Sequence, residues 1–308
     1  MKEYLLNYYS LFKCIGGACK HTCCAGWGMY IDNNTLESYK NDTSSFSKTL
    51  KKGVDFKRGK FKDKKGRCAF LNDNGLCDII LNLGESHLCQ ICSDHPRFKS
   101  YYETHIETGL GFCCEEATKI ILSYPNKIEP ILVSDDGNSE TLSFIQNQVL
   151  LFKEKALSII QNRNQDITER IYSLLSLIGV DNNLDFKKGL KRFISLERLN
   201  KSWGNRLKSL TNTNLTFETD NALSLYCEQF LVNSLYRHLS SAEDITYAHA
   251  ITLASLFSWV IIKSVYQNEN TGDNSFYLIC DIVREFSSNV EYSESNLDKL
   301  FNFTYKYI

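Results

Sequence analysis

The sequence predicts a mainly α protein in which an irregular, cysteine-rich N-terminal region packs against a C-terminal helical domain. Three observations lead there. Ten of the twelve cysteines fall between Cys14 and Cys114, and only Cys227 and Cys280 lie beyond. The second half of the chain repeats apolar residues at the three- and four-residue spacing of helices with one buried face. Proline occurs only at Pro96, Pro125 and Pro130 in 308 residues, so long stretches lack the strongest helix breaker.

The opening, MKEYLLNYYSLFKC, has no basic head, long apolar middle or small-residue cleavage site, and so does not read as an export signal. The expected compartment is the cytoplasm, where thiols stay reduced and free to bind metal. Residues 51–66 form glycine- and lysine-rich loops. Residues 98–112 are rich in β-branched and aromatic side chains, which predicts a short hairpin. A helix opens at Glu115 and Glu116, where acids suit the positive end of the dipole. The polar stretch SDDGNSE at 134–140 marks a boundary, giving a metal-binding region over 1–134 and a helical domain over 135–308.

Helices follow over residues 141–161, 166–178 and 185–201. Leu223, Tyr226, Cys227, Phe230, Leu231 and Leu235 line one face of the next. Phe276, Ile279, Cys280, Val283 and Phe286 line another. Cys227 and Cys280 are expected there as buried small hydrophobes. Polar breaks at 211–214 and 268–275 separate these elements. The uncharged run at 245–262 contains Thr246, His249, Thr252, Ser255 and Ser258 and is short for a membrane span, so it reads as a core helix. Peripheral membrane association stays open. Charge nearly cancels, 35 basic residues against 36 acidic, which gives no global attraction to nucleic acid or anionic lipid.

The cysteines are spaced for metal. Cys14-x4-Cys19-x3-Cys23-Cys24 is followed by Cys68 and Cys77, by Cys89-x2-Cys92, and by the pair Cys113-Cys114. Short spacings let one loop deliver several sulfurs, while ligands from distant segments staple an irregular region together. Disulfides and buried structural thiols are the weaker readings for so dense a block. Zinc, which favours four Cys or His ligands, and an iron–sulfur cluster, which takes cysteine alone, both fit the spacing. His21, His87 and His95 lie near the thiols, but polar loop histidines are usually solvated. Arg97, held after Pro96, offers a guanidinium that could tune an anionic cluster or grip a carboxylate. There is no dinucleotide fingerprint, no P-loop, no zinc-protease helix and no C-x3-C-x2-C loop.

At these residues the chain resembles the flagellin lysine-N-methylases. The stretches FKCIGGACKHTCCAGWGMYID, GRCAFLNDNGLCDIILNLGESHLCQICSDHPRF and GLGFCCEEATKIIL carry the likeness, with YCEQFLVNSLYRHL and IVREFSSNVEYSESNLDKL further on. The resemblance implies methyl transfer from S-adenosylmethionine to lysine side chains of flagellin, dependent on a [4Fe–4S] cluster. The matching cysteines are Cys14, Cys19, Cys23, Cys24, Cys68, Cys77, Cys92 and Cys114, with Cys89 and Cys113 ranked lower. Eight thiols exceed the four that one cluster needs, so either a second metal is bound or some have other roles. Tyr30, Asp94, Glu107, Glu115 and Glu116 are candidates for handling the lysine proton, with no choice among them, and Trp27 could stack on adenine or favour the sulfonium. The alternative is a non-catalytic zinc- or iron-binding cysteine protein.

Overall fold

The computed structural model describes residues 1–26, 28–137 and 141–308. Trp27 and part of the expected boundary, residues 138–140, lie outside the described residues. In chain order the elements are β1 (Lys2–Leu6), α1 (Asn33–Asn41), α2 (Ser47–Gly53), β2 (Val54–Asp55), β3 (Lys60–Phe61), β4 (Asp63–Lys64), β5 (Arg67–Cys68), α3 (Asp78–Leu83), α4 (Gln90–Asp94), β6 (Arg97–Tyr101), β7 (His105–Leu110), α5 (Glu115–Ser123), β8 (Pro130–Asp135), α6 (Phe144–Ile160), α7 (Ile167–Leu177), α8 (Phe186–Ser195), α9 (Lys201–Ser209), α10 (Ser224–His238), α11 (Ile245–Glu269), α12 (Ser275–Asn289) and α13 (Glu294–Thr304). The expectation of a mainly helical chain holds, with a small sheet added. The contacts divide the chain into two compact units, one made of Met1–Phe12, Phe98–Cys113 and Ala117–Ile308, the other of Lys13–Arg97 and Cys114–Glu116.

The larger unit is built on α11. Residues all round this helix are buried, including Trp259, Phe257, Ile251 and Leu256, and α6, α8, α9, α10, α12 and α13 all pack against it or its neighbours. Each such side chain contributes roughly 1.5–3 kcal/mol on leaving water. By length and composition α11 is apolar enough to cross a membrane, yet 78% of its most apolar stretch is buried inside the protein. Thr252, Ser255 and Ser258 are satisfied within the helix, each hydroxyl donating to the carbonyl four residues back. Cys227 and Cys280 are buried as expected, at 0% and 4% exposure.

The helix starts follow local chemistry. Asp166 and Glu169 form a reciprocal capping box on α7. Ser143, Asn200, Asp244 and Ser293 accept backbone N–H bonds at the starts of α6, α9, α11 and α13. The predicted hairpin at 98–112 is present as β6 and β7, closed by Tyr102 N–H donating to the His105 carbonyl at 2.9 Å. The sheet it joins has the order β6-β7-β1-β8, with β1 parallel to β7 and antiparallel to β8. Gly109 permits a close crossing there, since a Cβ would meet the Phe98 ring at 2.5 Å and Leu6 at 2.8 Å.

The smaller unit has short elements and two minimal hairpins, β2–β3 and β4–β5. Its core is Met29, Ile31, Tyr39, Phe46, Leu50, Val54, Phe61, Phe70 and Ile79, with Phe61 and Phe70 edge to face at 5.3 Å. Two cysteines, Cys68 and Cys89, belong to this core, and Cys24, Cys77 and Cys92 pack against it.

Candidate functional site

The smaller unit holds nine of the twelve cysteines, every one a free thiol. Local bonds fix the backbones that carry them. The chain after Cys23 runs beside the β4–β5 hairpin: Gly26 N–H donates to Gly66 O, and Cys68 N–H to Cys24 O, both at 2.8 Å. Asn72 accepts from the N–H groups of Asn74 and Leu76 and donates to Asp78, which folds the turn leading into Cys77 and α3. Gly17 presses on that turn so closely that a Cβ would sit 2.6 Å from the Asn74 carbonyl. Asp32 caps α1 with one oxygen and takes the Gln90 N–H with the other at 2.9 Å. Tyr39 donates to His87 O at 2.5 Å. The Cys89–Cys92 segment is thereby tied to α1.

The thiols influence one another strongly. Cys24, Cys77 and Cys89 all act on Cys68, whose thiol is pushed up to about 11, chiefly by burial. A hydrogen bond from Cys23 holds Cys24 down to about 7 against its burial, and the same bond raises Cys23. Cys89 and Cys92 repeat the pattern: the bond between them lowers Cys89 and raises Cys92. Cys77 is raised by burial. Cys19, also raised by burial, lies 3.8 Å from Glu115 Oε2, and the same oxygen accepts the Lys20 N–H at 2.9 Å.

Among the described residues, no three or more His, Cys, Asp or Glu side chains stand in an arrangement that would hold a metal ion. The donor set nevertheless suits one chemically. Soft sulfur donors from separate segments, Cys24, Cys68, Cys77, Cys89 and Cys92, lie in or against one apolar core, and none is consumed in a disulfide. The lower-ranked Cys89 is fully buried among the others. The other lower-ranked thiol, Cys113, falls in the larger unit, where its partners are Tyr292 and the charge of Arg237.

The remaining candidates disperse. Arg97 donates to Ser93 O at 2.9 Å, closing the turn after α4. Asp94 takes the Gln90 amide at 2.7 Å, and Tyr30 is 64% exposed. The His87 ring meets Ser86. Glu107 lies in the larger unit as a buried partner of Lys153, whose ammonium sits 4.7 Å from the Tyr102 ring centre and 4.5 Å from that of Tyr236. This buried lysine was not foreseen, although it falls on the α6 stripe of Val149, Phe152, Ala156, Leu157 and Ile160. Arg237, Glu291 and His238 form a second buried ionic group that spacing did not announce.

Comparison with known proteins finds named relatives of this chain. The chain is 26% identical over 194 residues to a Lysine-N-methylase of Salmonella typhimurium strain LT2, covering 58% of this chain and 48% of that protein. It is 27% identical over the same extent to a Lysine-N-methylase of Salmonella choleraesuis strain SC-B67. This chain is similar to the lysine-N-methylases. It is also 28% identical over 138 residues to the Flagellar biosynthetic protein FliU of Salmonella muenchen, covering 41% of this chain and 82% of that protein. The chain spans about half the length of the two lysine-N-methylases it matches. No family model matches, and no solved structure does.

Proposed function

We propose that this chain is a metal-dependent protein-lysine N-methyltransferase that uses S-adenosylmethionine and acts on flagellin in the cytoplasm. The observation that carries the methyl-transfer reading is the similarity to the two lysine-N-methylases; the flagellar name of the third relative favours flagellin as substrate. In this reaction a neutral lysine amine donates its lone pair to the sulfonium methyl carbon. The N–C bond forms as the S–C bond breaks, the thioether leaves, and the nitrogen releases a proton. An amine that is protonated in water must first lose its proton, through burial or a base.

The thiols of the smaller unit would hold the metal centre: Cys14, Cys19, Cys23, Cys24, Cys68, Cys77, Cys89, Cys92 and Cys114. An iron–sulfur cluster there would supply an anionic, redox-capable centre. The protein's own contribution is the positioning by Asp32, Asn72 and Tyr39 and the apolar floor of Phe61 and Phe70. The burial of Cys68 and Cys89 favours a second reading, a structural metal in a protein without catalysis, because closed thiolate sites are structural ones.

The test is to purify the chain without oxygen, measure iron, zinc and acid-labile sulfide, and assay methyl transfer from labelled S-adenosylmethionine to flagellin. Iron with sulfide and labelled lysine supports the enzyme. Zinc alone with no transfer moves the assignment to the structural reading.

A further inference from the structure

We infer that the larger unit binds one internal water molecule, held by the Ser234 hydroxyl in a small cavity where α10, α11 and the turn carrying Glu291 meet. The site stands independently of the function proposed above.

Ser234 lies on α10 at 2% exposure, and its Oγ has no hydrogen-bond partner. The neighbouring helix shows the ordinary solution. Thr252, Ser255 and Ser258 on α11 are also buried, and each donates to the carbonyl four residues back. Ser234 does not use that solution. A buried hydroxyl without a partner forfeits the bonds it made in bulk water, a cost that folded proteins rarely carry.

Ser234 borders a cavity of about 10 Å³. That is room for a water molecule and too little for a substrate. The polar part of its wall is Ser234 and His238 from α10, Ser255 and Ser258 from α11, and Glu291, all of them buried. The remainder is apolar and includes Phe230 and Phe286, which meet edge to face at 5.8 Å.

The donors and acceptors on this wall suit water. Ser255 and Ser258 spend their O–H groups on the Ile251 and Ala254 carbonyls at 3.1 and 2.8 Å, so their oxygens keep lone pairs that can accept. Glu291 accepts from Arg237 and Ser287 on Oε2 and from His238 on Oε1, which leaves Oε1 a further lone pair. Ser234 still has a proton to give. A water takes that proton bond on its oxygen and has two hydrogens of its own for Ser255, Ser258 or Glu291, the two to four partners that a buried water needs. A neutral occupant also fits the charge, since Arg237 already balances Glu291. The water thereby hydrates the buried Arg237–Glu291–His238 group and joins it to α11, the helix on which the unit is built.

The experiment uses the full chain. A high-resolution crystal structure should show density for one water within hydrogen-bond distance of Ser234 Oγ and of at least one other polar atom of the wall. In solution, oxygen-17 relaxation dispersion counts long-lived internal waters. Ser234→Val, which replaces the hydroxyl and fills the space with a methyl group, should show one fewer than the wild type. Ser234→Ala tests the sign of the hydroxyl's contribution. With the water in place, the variant strips it of a partner, and the melting temperature should fall by about 2–4 °C. Without the water, the variant removes an unpaired buried group, and the melting temperature should rise. That rise, or a dry wild-type cavity that takes up xenon, would overturn the inference. If Ser234→Val does not fold, the wild-type density still decides.

Discussion

Glu291 illustrates how far a single residue can depart from what its sequence neighbourhood announces. It sits at 5% exposure, with Arg237 at 3.3 Å, His238 at 3.1 Å and the Ser287 hydroxyl donating to it. Burial alone would raise its carboxyl, but the Arg237 charge, the His238 bond and the Ser287 bond outweigh that and hold it at about 2, down from 4.5. A carboxyl lowered on folding stabilises above its unfolded value, and that stability is lost as pH falls from 4.5 toward 2. Glu291→Gln should therefore flatten this part of the acid limb. It should also cost roughly 3–5 kcal/mol at neutral pH, because Arg237 is left buried without its partner; urea melts across pH check both. Spacing could not reveal this group, since Arg237 and Glu291 lie 54 positions apart. Lys153 was more accessible to reasoning: a lone cation on the buried stripe of a helix needs a buried anion, and Glu107 is that anion.

The long helices follow from their stripes and caps, and their ends from chemistry outside them. Residues 185–201 read as one helix, but α8 stops at Ser195 and α9 restarts after Asn200. The break is held from far away: Asn296 accepts the Glu197 N–H at 3.0 Å and Asn289 accepts the Leu199 N–H at 2.9 Å. Those side chains replace the helical acceptors, which no local pattern could foretell. Beyond the predicted β6–β7 hairpin, the sheet was invisible for the same reason, since β1 is five residues long and finds β7 and β8 more than a hundred positions later. Packing between elements is tight where α8 meets α11. A Cβ on Gly189 would stand 2.7 Å from the Phe257 ring, and Phe257 is itself enclosed by Phe186, Phe217 and Phe303. Gly189→Ala should lower stability by about 1–3 kcal/mol, seen as a lower denaturant midpoint at unchanged slope.

At the scale of the whole molecule the two units differ in what holds them. The larger has the deep apolar core of α11; the smaller has a modest core, short elements and nine thiols. Small units with thin cores commonly depend on metal for stability. Complete removal of metal should thus split thermal unfolding into two steps, the smaller unit melting early and the larger one keeping its temperature, as calorimetry can show. The density of cysteines in the sequence located this region. Which of them share the apolar core was not legible, because that depends on the β4–β5 hairpin, the Asn72 turn and the Asp32 bridge that bring distant segments together. The central claim is methyl transfer by a metal-loaded chain, and the most direct test is label from methyl-tritiated S-adenosylmethionine recovered in the lysines of purified flagellin, measured without oxygen and with bound metal verified. Label in methyl-lysine, lost when the metal is removed, is the predicted result; a fully metal-loaded chain that leaves flagellin unlabelled would contradict it.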